Sequence, residues 1–313
     1  MIKKSKKIIV GGFIIVITCL LGITKVEAEE VIKLKDAILR DNIVQTNPDM
    51  TLKYIVSSNA ASFPTEKGLY RSDDTNSGNP TYYYRGNVDN NYVTFAGRTW
   101  RILRINEDGS LKLIFDDFIG TSAFNSDASV KYFEDSLVKT SIENFYNKHL
   151  ASDEEYIVNT NFCLNKDYRM IDNINYYSSY IRNIIDKKPM LSCNQNDIYV
   201  SKIGLISADE LAVAGNVYDT KSENNYLYKN TDGWWTLNPA SLPNNELSNV
   251  VSRENKAIDV EKVTTELSVR PVISIGSNYI LSGDGTLSNP YKIDSTIKES
   301  KVLTLNLDGG SYG

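Results

Sequence analysis

Few side chains in this sequence could act as a nucleophile or a general base. Its 313 residues include one histidine, His149, and three cysteines, of which Cys19 lies in an N-terminal apolar segment. Catalytic triads and common zinc sites combine histidine with serine, cysteine or further histidines. His149 follows Phe145 by four residues near the end of a predicted helix, where we expect it to interact with the terminal carbonyls. The sequence therefore predicts no triad, no metal and no cofactor.

Cys163 and Cys193 are the two cysteines outside the apolar segment. An even pair favours a disulfide in an exported chain, and the N-terminus described below indicates export. Closing this loop would stabilise the fold by about 3.5 kcal/mol on a chain-entropy basis. Two free, buried thiols are the alternative. We assign both cysteines a structural role.

Carboxylates keep one enzymatic alternative open, because a glycosidase needs only a pair of Asp or Glu residues. Asp209 and Glu210 follow Ser207 at a predicted helix start, where capping and the helix dipole give both a structural role. Asp116 and Asp117 follow a strand, and a solvated strand end is favoured over calcium binding. The enzymatic alternative requires two acids distant in sequence to face each other at roughly 5–10 Å.

Trp234 and Trp235 are the aromatic pair best suited to contact a ligand. Neighbours on a strand face opposite sides, so one indole is expected in the core and the other beside the polar connection 238–266; burial of both is the alternative. Together with Asn238, they are our candidate ligand-binding residues. Arg270 is assigned a structural role, pairing with a carboxylate or a backbone carbonyl to hold the closing strand.

The elements that position these residues follow from the hydrophobic pattern. The turn signal at 106–109, flanked by alternating apolar residues, predicts an antiparallel, half-buried hairpin over 98–115, with the arginines on the face opposite Trp100. Helical spacing predicts helices over 31–39, over 136–150 and from Ser207 to Gly215. Strands are predicted near 204, 234–237 and 269–275. The connection 238–266 is expected to be a long polar loop.

The first residues have the composition of an export signal, in which lysines precede an apolar run from Ile8 to Ile23. We predict a signal peptide over 1–28, with an uncleaved anchor as the alternative. After the signal peptide we predict a helix and lead-in over 29–56 and a module over 57–294. A linker over 295–301 and an incomplete strand motif over 302–313 are predicted to follow. That last motif is typical of a truncated product. The formal net charge is −5, and the sequence lacks the clustered basic residues that binding to nucleic acid requires.

Several segments together resemble a family of uncharacterised exported proteins from low-GC Gram-positive bacteria. They are "YYYRGNVDNNYVTFAGRTWRILRINEDGSLKLI", "NFC" with "LSC", "GLISADELAVAG", "YLYKNTDGWWTLNP", "VRPVISI" and "SGDGTLSNPYKI", which span most of residues 68–294. More distantly, "WWTLNP" followed by "VRPVISI" resembles the end of C-type-lectin-like and formylglycine-generating-enzyme-like folds. This likeness implies a lectin-like α+β fold with antiparallel strands and a few short helices.

The resemblance carries over no activity. The formylglycine-generating enzymes use reactive cysteines near the C-terminus, and no cysteine follows Cys193 here. The tail "LTLNLDGGSYG" resembles the opening of an internalin-type β-repeat of bacterial surface proteins, of which only the first strand is present.

These observations predict a secreted or cell-surface binding or structural module without a cofactor. Its expected partner is an extracellular protein or glycan, with no nucleic acid and no stable membrane span after signal cleavage. A carboxylate-dependent, carbohydrate-active enzyme of the cell wall is the alternative function.

Overall fold

Strands dominate the protein because β-branched and aromatic residues recur at alternate positions, whereas helical spacing is confined to short segments. The computed structural model describes residues 6–10, 13–20, 23–30, 33–46, 67–129, 132–218, 225–254, 256–279 and 281–293. Within these residues the fold is of the α+β class, as the sequence predicts.

The strands in the first half are β1 (Lys6–Val10), β2 (Phe13–Leu20), β3 (Ile23–Glu30), β4 (Val44–Thr46), β5 (Gly68–Ser72), β6 (Thr81–Arg85), β7 (Tyr92–Phe95), β8 (Arg98–Ile105), β9 (Leu111–Phe115), β10 (Thr121–Ala123), β11 (Ile157–Val158) and β12 (Thr160–Cys163). Those that follow are β13 (Tyr168–Ile171), β14 (Ile174–Tyr177), β15 (Ile198–Ser201), β16 (Ile203–Gly204), β17 (Trp234–Leu242), β18 (Ser248–Ser252), β19 (Asp259–Lys262), β20 (Glu266–Ser268), β21 (Val272–Ile275), β22 (Leu281–Ser282) and β23 (Tyr291–Ile293).

The α-helices are α1 (Leu34–Asp41), α2 (Leu137–His149), α3 (Ser178–Tyr180) and α4 (Ala208–Val213). A π-helix over Ile181–Ile185 continues α3, and 3-10 turns lie at Phe133–Asp135, Ala151–Tyr156 and Pro243–Asn245. The helix predicted over 136–150 is confirmed as α2, and the Ser136 hydroxyl accepts a hydrogen bond from the Lys139 amide as its cap. The helix predicted after Ser207 is confirmed as α4, complete with its capping box.

Strands β1, β2 and β3 pair antiparallel into a sheet of their own. They contain the apolar run that the sequence analysis assigns to an export signal. Among the described residues, no helix is both long and apolar enough to cross a bilayer. Export and cleavage concern the processing of the chain and stay predictions. The linker and repeat-like tail predicted over 295–313 lie outside the described residues.

The largest sheet has the order β11-β21-β9-β8-β6-β5-β4, with β7, β16, β22 and β23 attached. Strands β8 and β9 form the predicted antiparallel hairpin, in which Ile105 pairs with Leu111 across the turn. The hairpin differs from the prediction in one respect, since it is buried on both faces from Trp100 onward. Charged residues of the second face find buried partners instead of water, as described below for Arg104 and Lys112.

The second sheet has the order β10-β20-β17-β14-β13, with β18 and β19 continuing from β17. The polar connection 238–266, expected to be a loop, instead completes β17 and forms β18 and β19. Several polar side chains pair within the sheet: the Ser241 and Ser248 hydroxyls lie 2.8 Å apart, and the hydroxyl of Thr236, just before this segment, donates to the Val250 carbonyl. The polar composition of this segment therefore does not mean that it is exposed to solvent.

One cluster of buried apolar side chains joins both large sheets to the helices. Trp100 on β8 and Trp235 on β17 belong to it, together with Ile38 of α1, Ile142 of α2 and Leu211 of α4. The N-terminal helix is thus packed on the same core as the strands that follow it.

Gly204 on β16 provides a test of this packing. A Cβ atom at Gly204 would lie 2.5 to 2.7 Å from three ring atoms of Phe162. We expect Gly204→Ala to lower the free energy of unfolding by about 1–3 kcal/mol, as overpacking does. In a Phe162→Leu background the same substitution should cost less, because the obstructing ring is gone. Urea unfolding of the four proteins measures this, and strictly additive costs would contradict the contact.

Candidate functional site

A buried group of three charged side chains lies where α4 meets the β8–β9 hairpin. Glu210 of α4 accepts a hydrogen bond from Nζ of Lys112 at 2.6 Å, and Nε of Arg104 lies 3.2 Å from the same carboxylate oxygen. The three side chains are 3% to 10% exposed. We call Arg104, Lys112 and Glu210 the buried triad.

Electrostatics in the triad are asymmetric because two cations share one carboxylate. Burial lowers the pKa of Lys112 to about 8, and repulsion from Arg104 acts in the same direction against the attraction of Glu210. Burial alone would raise the pKa of Glu210, but the charges of Lys112 and Arg104 together lower it. Lys112 and Glu210 are therefore mainly charged at pH 7, and together with the guanidinium of Arg104 they leave one positive charge in excess.

A polar cavity of about 280 Å³ lies against the triad and the disulfide. Amide and hydroxyl side chains are the commonest residues in its lining, with two acids and one guanidinium, and apolar atoms contribute about as much of its surface as polar ones. We call it the asparagine pocket; its lining comprises Asn76, Ser77, Asn79, Arg104, Asn106, Glu107, Asp108, Ser110, Asn159, Thr160, Asn161, Leu191 and Cys193.

Four chain segments form this pocket, and side chains bind them to one another. The Asn76 amide pairs with the backbone of Cys193, accepting from its N–H at 2.7 Å and donating to its carbonyl at 2.9 Å. The Glu107 carboxylate accepts from the backbone amides of Asn76 and Ser77 at 3.1 and 2.7 Å. The segment 76–79 is thus held both to the β8–β9 turn and to the chain at Cys193.

Acidic side chains also fix the segment that precedes Cys193. The Asp74 carboxylate accepts hydrogen bonds from the Leu191 amide at 2.8 Å and from the Ser192 hydroxyl at 2.6 Å. The disulfide between Cys163 and Cys193 ties the same segment to β12, which confirms the predicted pairing. The pocket is therefore rigid on both sides of the disulfide.

Besides Nε of Arg104, which is ion-paired with Glu210, three buried polar atoms in the pocket lining have no hydrogen-bond partner within the described part of the chain. They are Nη1 of Arg104, Oδ1 of Asn106 and Oγ1 of Thr160. Leaving a buried donor or acceptor unpaired costs about 1–3 kcal/mol, so such atoms are rare in native proteins. Other buried polar atoms without a partner are spread through the described residues, but these three belong to the lining of one cavity, where a polar ligand would supply partners.

The candidate ligand-binding residues from the sequence lie elsewhere. Trp234 and Trp235 are 1% and 0% exposed, so the alternative in which both are buried holds. The Trp235 indole donates to the carbonyl of Ser122 at 2.8 Å. Asn238 is also fully buried, and its amide bridges β12 to the first residue of α4 by donating to the Cys163 carbonyl and accepting from the Ala208 amide.

Arg270 takes backbone carbonyls as partners, one of the two alternatives left open by the sequence. It donates to the carbonyls of Phe115 at 3.1 Å and Leu227 at 2.9 Å, and its guanidinium lies 4.8 Å from the Trp234 ring centre. Burial lowers its pKa to about 10. It holds the start of β21 against β9.

The acids singled out from the sequence are already engaged in the fold. Asp209 accepts two hydrogen bonds from Arg182, at 2.9 and 2.7 Å, and Asp116 pairs with Lys229 at 3.0 Å. Asp117 is exposed and accepts from the Phe118 amide. Among the described residues there is no cluster of three or more His, Cys, Asp or Glu side chains suited to a metal ion.

The asparagine pocket was not found from the sequence, because its walls come from segments 31 to 117 residues apart. One local signal was available. Lys112 interrupts the apolar pattern of β9 between Leu111 and Leu113, and a lysine there needs either solvent or a buried counter-charge. The hairpin turn also presents Glu107 and Asp108 together; the turn signal predicts their place in the hairpin but not their position at a cavity.

Comparison of the chain with models of protein families, with curated proteins and with solved structures gave no match.

The triad predicts unequal effects of removing its charges. Glu210→Gln leaves two buried cations without a counter-charge and should lower the free energy of unfolding by about 3–5 kcal/mol. Lys112→Met leaves Glu210 paired with Arg104 and should cost distinctly less. Urea unfolding at pH 7 compares the two variants. An equal or larger loss for Lys112→Met would contradict the shared-carboxylate arrangement.

The disulfide predicts a second stability difference. A Cys163→Ser, Cys193→Ser double variant should unfold with a free energy about 3.5 kcal/mol below that of the oxidised protein, on a chain-entropy basis. Asn196→Ala, at an exposed position close to Cys193 in the chain, is the control and should leave stability unchanged. Chemical denaturation with and without a reductant measures the difference; reduction without any loss would show that the bond does not stabilise the fold.

Proposed function

We propose that this protein is a secreted or cell-surface binding module of lectin-like architecture, and that it binds a saccharide in the asparagine pocket. Five asparagines and three hydroxyl residues line the cavity. Amide and hydroxyl groups both donate and accept hydrogen bonds, as sugar hydroxyls do, so each can pair in either direction. No cofactor is needed for such binding.

The observation that carries the proposal is the set of unpaired buried atoms at the pocket, from Arg104, Asn106 and Thr160. They come from β8, from the turn after it and from β12, so no single local distortion accounts for all three. A ligand hydroxyl or carboxylate reaching them would recover hydrogen bonds that the free protein lacks. Walls held by Asp74, Asn76 and the disulfide reduce the ordering cost of binding.

Export is supported by two independent features. The lysines before the apolar run Ile8–Ile23 match the composition of a signal peptide. The Cys163–Cys193 disulfide is of a kind that forms and persists in oxidising, extracellular compartments. The resemblance to exported proteins of Gram-positive bacteria and to lectin-like folds, given by the motifs above, agrees with both.

The enzymatic alternative is less well supported by the pocket. Its two acids, Glu107 and Asp108, are neighbours in one turn rather than residues facing each other across a cleft. Glu107 holds two backbone amides, and Asp108 accepts from the amide and hydroxyl of Ser110 at 2.9 and 2.6 Å. A glycosidase requires one acid on each side of the scissile bond. Binding is therefore the function we put first.

A panel of immobilised oligosaccharides, probed with the oxidised full-length protein, tests the proposal. Thr160→Val removes an unpaired hydroxyl, so it should leave the free protein as stable as before or slightly more stable, yet weaken saccharide binding about tenfold. This opposite effect on stability and binding distinguishes a ligand contact from a structural residue.

Asn196→Ala is the matched control, because Asn196 is exposed and does not line the pocket. It should bind as the wild type does. Absence of any bound saccharide, or unchanged binding by Thr160→Val, would overturn the assignment. Hydrolysis of a bound saccharide that is lost in Glu107→Gln would instead support the enzymatic alternative.

A further inference from the structure

A second cavity lies at the end of α2, on the side of the molecule that carries the single histidine. Arg98 of β8 places its guanidinium beside the rings of Phe115 and Phe145, at 5.9 and 5.3 Å from their centres. Nη2 of Arg98 lies 2.9 Å from Nδ1 of His149. The histidine was expected to interact with helix carbonyls, but its ring nitrogen is bonded to this arginine instead.

The Arg98 contact fixes the tautomer of the histidine. A guanidinium has only donors, so Nδ1 of His149 must accept, and the neutral imidazole carries its proton on Nε2. Among the described residues no hydrogen-bond partner is present for Nε2. The imidazole therefore presents one N–H donor that the fold does not use.

His149 lines a cavity of about 270 Å³. Its other polar lining residues are Thr121, Ser141, Asn144 and Lys148, and none of its nine lining residues is acidic. Neither Lys148 nor Arg98 is paired with a carboxylate within the part of the chain that the structure describes. Two cations and several neutral donors thus meet without a counter-charge.

The local positive charge also affects the pKa of His149. Burial lowers the pKa of His149, and the charges of Arg98 and Lys148 lower it further. Among the described residues, these two cations, one from β8 and one from α2, are the charged groups that act on the imidazole. The site is therefore electropositive although the chain carries a net charge of −5.

We propose that this cavity binds a tetrahedral oxyanion, a phosphate or sulfate group carried by an extracellular ligand. Lys148 and Nε2 of His149 would donate to its charged oxygens, and Thr121 and Asn144 offer further donors. A tetrahedral dianion has enough acceptor sites for such a set, whereas a carboxylate has only two oxygens. The inference is independent of the saccharide site, since the two cavities share no lining residue.

Proton NMR of the full-length protein tests this directly, because the one histidine gives a single C2–H signal to follow. The pKa of His149 is measured in chloride, inorganic phosphate, sulfate and acetate at matched ionic strength. A bound oxyanion should raise the pKa by about 1 and shift the signal in a saturable way. Phosphate and sulfate affinities, compared with each other, identify which group the site prefers.

Two variants on α2, each of which removes one positive charge, distinguish binding at the cavity from general electrostatic screening. Lys148→Gln removes a cavity donor and should weaken the phosphate response about tenfold. Lys139→Gln makes the same charge change outside the cavity, where Lys139 pairs with Glu143, and should leave the response unchanged. Equal responses in chloride and phosphate, equal responses to acetate and phosphate, or equal losses in the two variants would overturn the proposal.

Discussion

The sharing of one buried carboxylate by two cations is the interaction on which the arrangement of α4 and the β8–β9 hairpin depends. One oxygen of Glu210 meets Lys112 and Arg104, and the other accepts from the amide of Ser207, which closes the capping box of α4. Burying three charges is tolerated only if all of them are paired in place. The first turn of α4 can therefore occupy a single position on the sheet, and the wall of the asparagine pocket formed by Arg104 is fixed with it.

Asp209, which precedes Glu210, fixes the segments on the other side of α4 in a similar way. Asp209 accepts from Arg182 and Asn165 and from the backbone amide of Met190, all in segments without long helices or strands. Asp74 repeats the device for the amide of Leu191. Carboxylates thus do for these segments what strand pairing does elsewhere, satisfying backbone donors. The consequence for function is a rigid polar cavity whose acids already have structural partners, an arrangement suited to binding rather than to proton transfer.

Local patterns predicted the elements that depend on local interactions. The hairpin over 98–115, the cap of α2 at Ser136 and the capping box at Ser207 need only a few neighbouring residues, and the structure confirms them. The segment 238–266 was misjudged because its polar side chains pair across β17 and β18, which composition alone does not show. Local patterns could not predict the asparagine pocket, because Asn76 and Cys193 are 117 residues apart in the sequence and meet only in the folded protein.

Charge in this protein has to be considered at the scale of a site rather than of the chain. The triad has a counter-charge within hydrogen-bond distance, and its excess positive charge lies beside two acids of the pocket. Within the part of the chain that the structure describes, the cations around His149 have none. Exposed charges are screened over about 8 Å at physiological ionic strength. The distant acids that make the net charge negative therefore do little to neutralise the cations around His149. Two cavities of similar size therefore differ in their chemistry: amides, hydroxyls and buried polar atoms without partners line one, and cations without a paired carboxylate border the other.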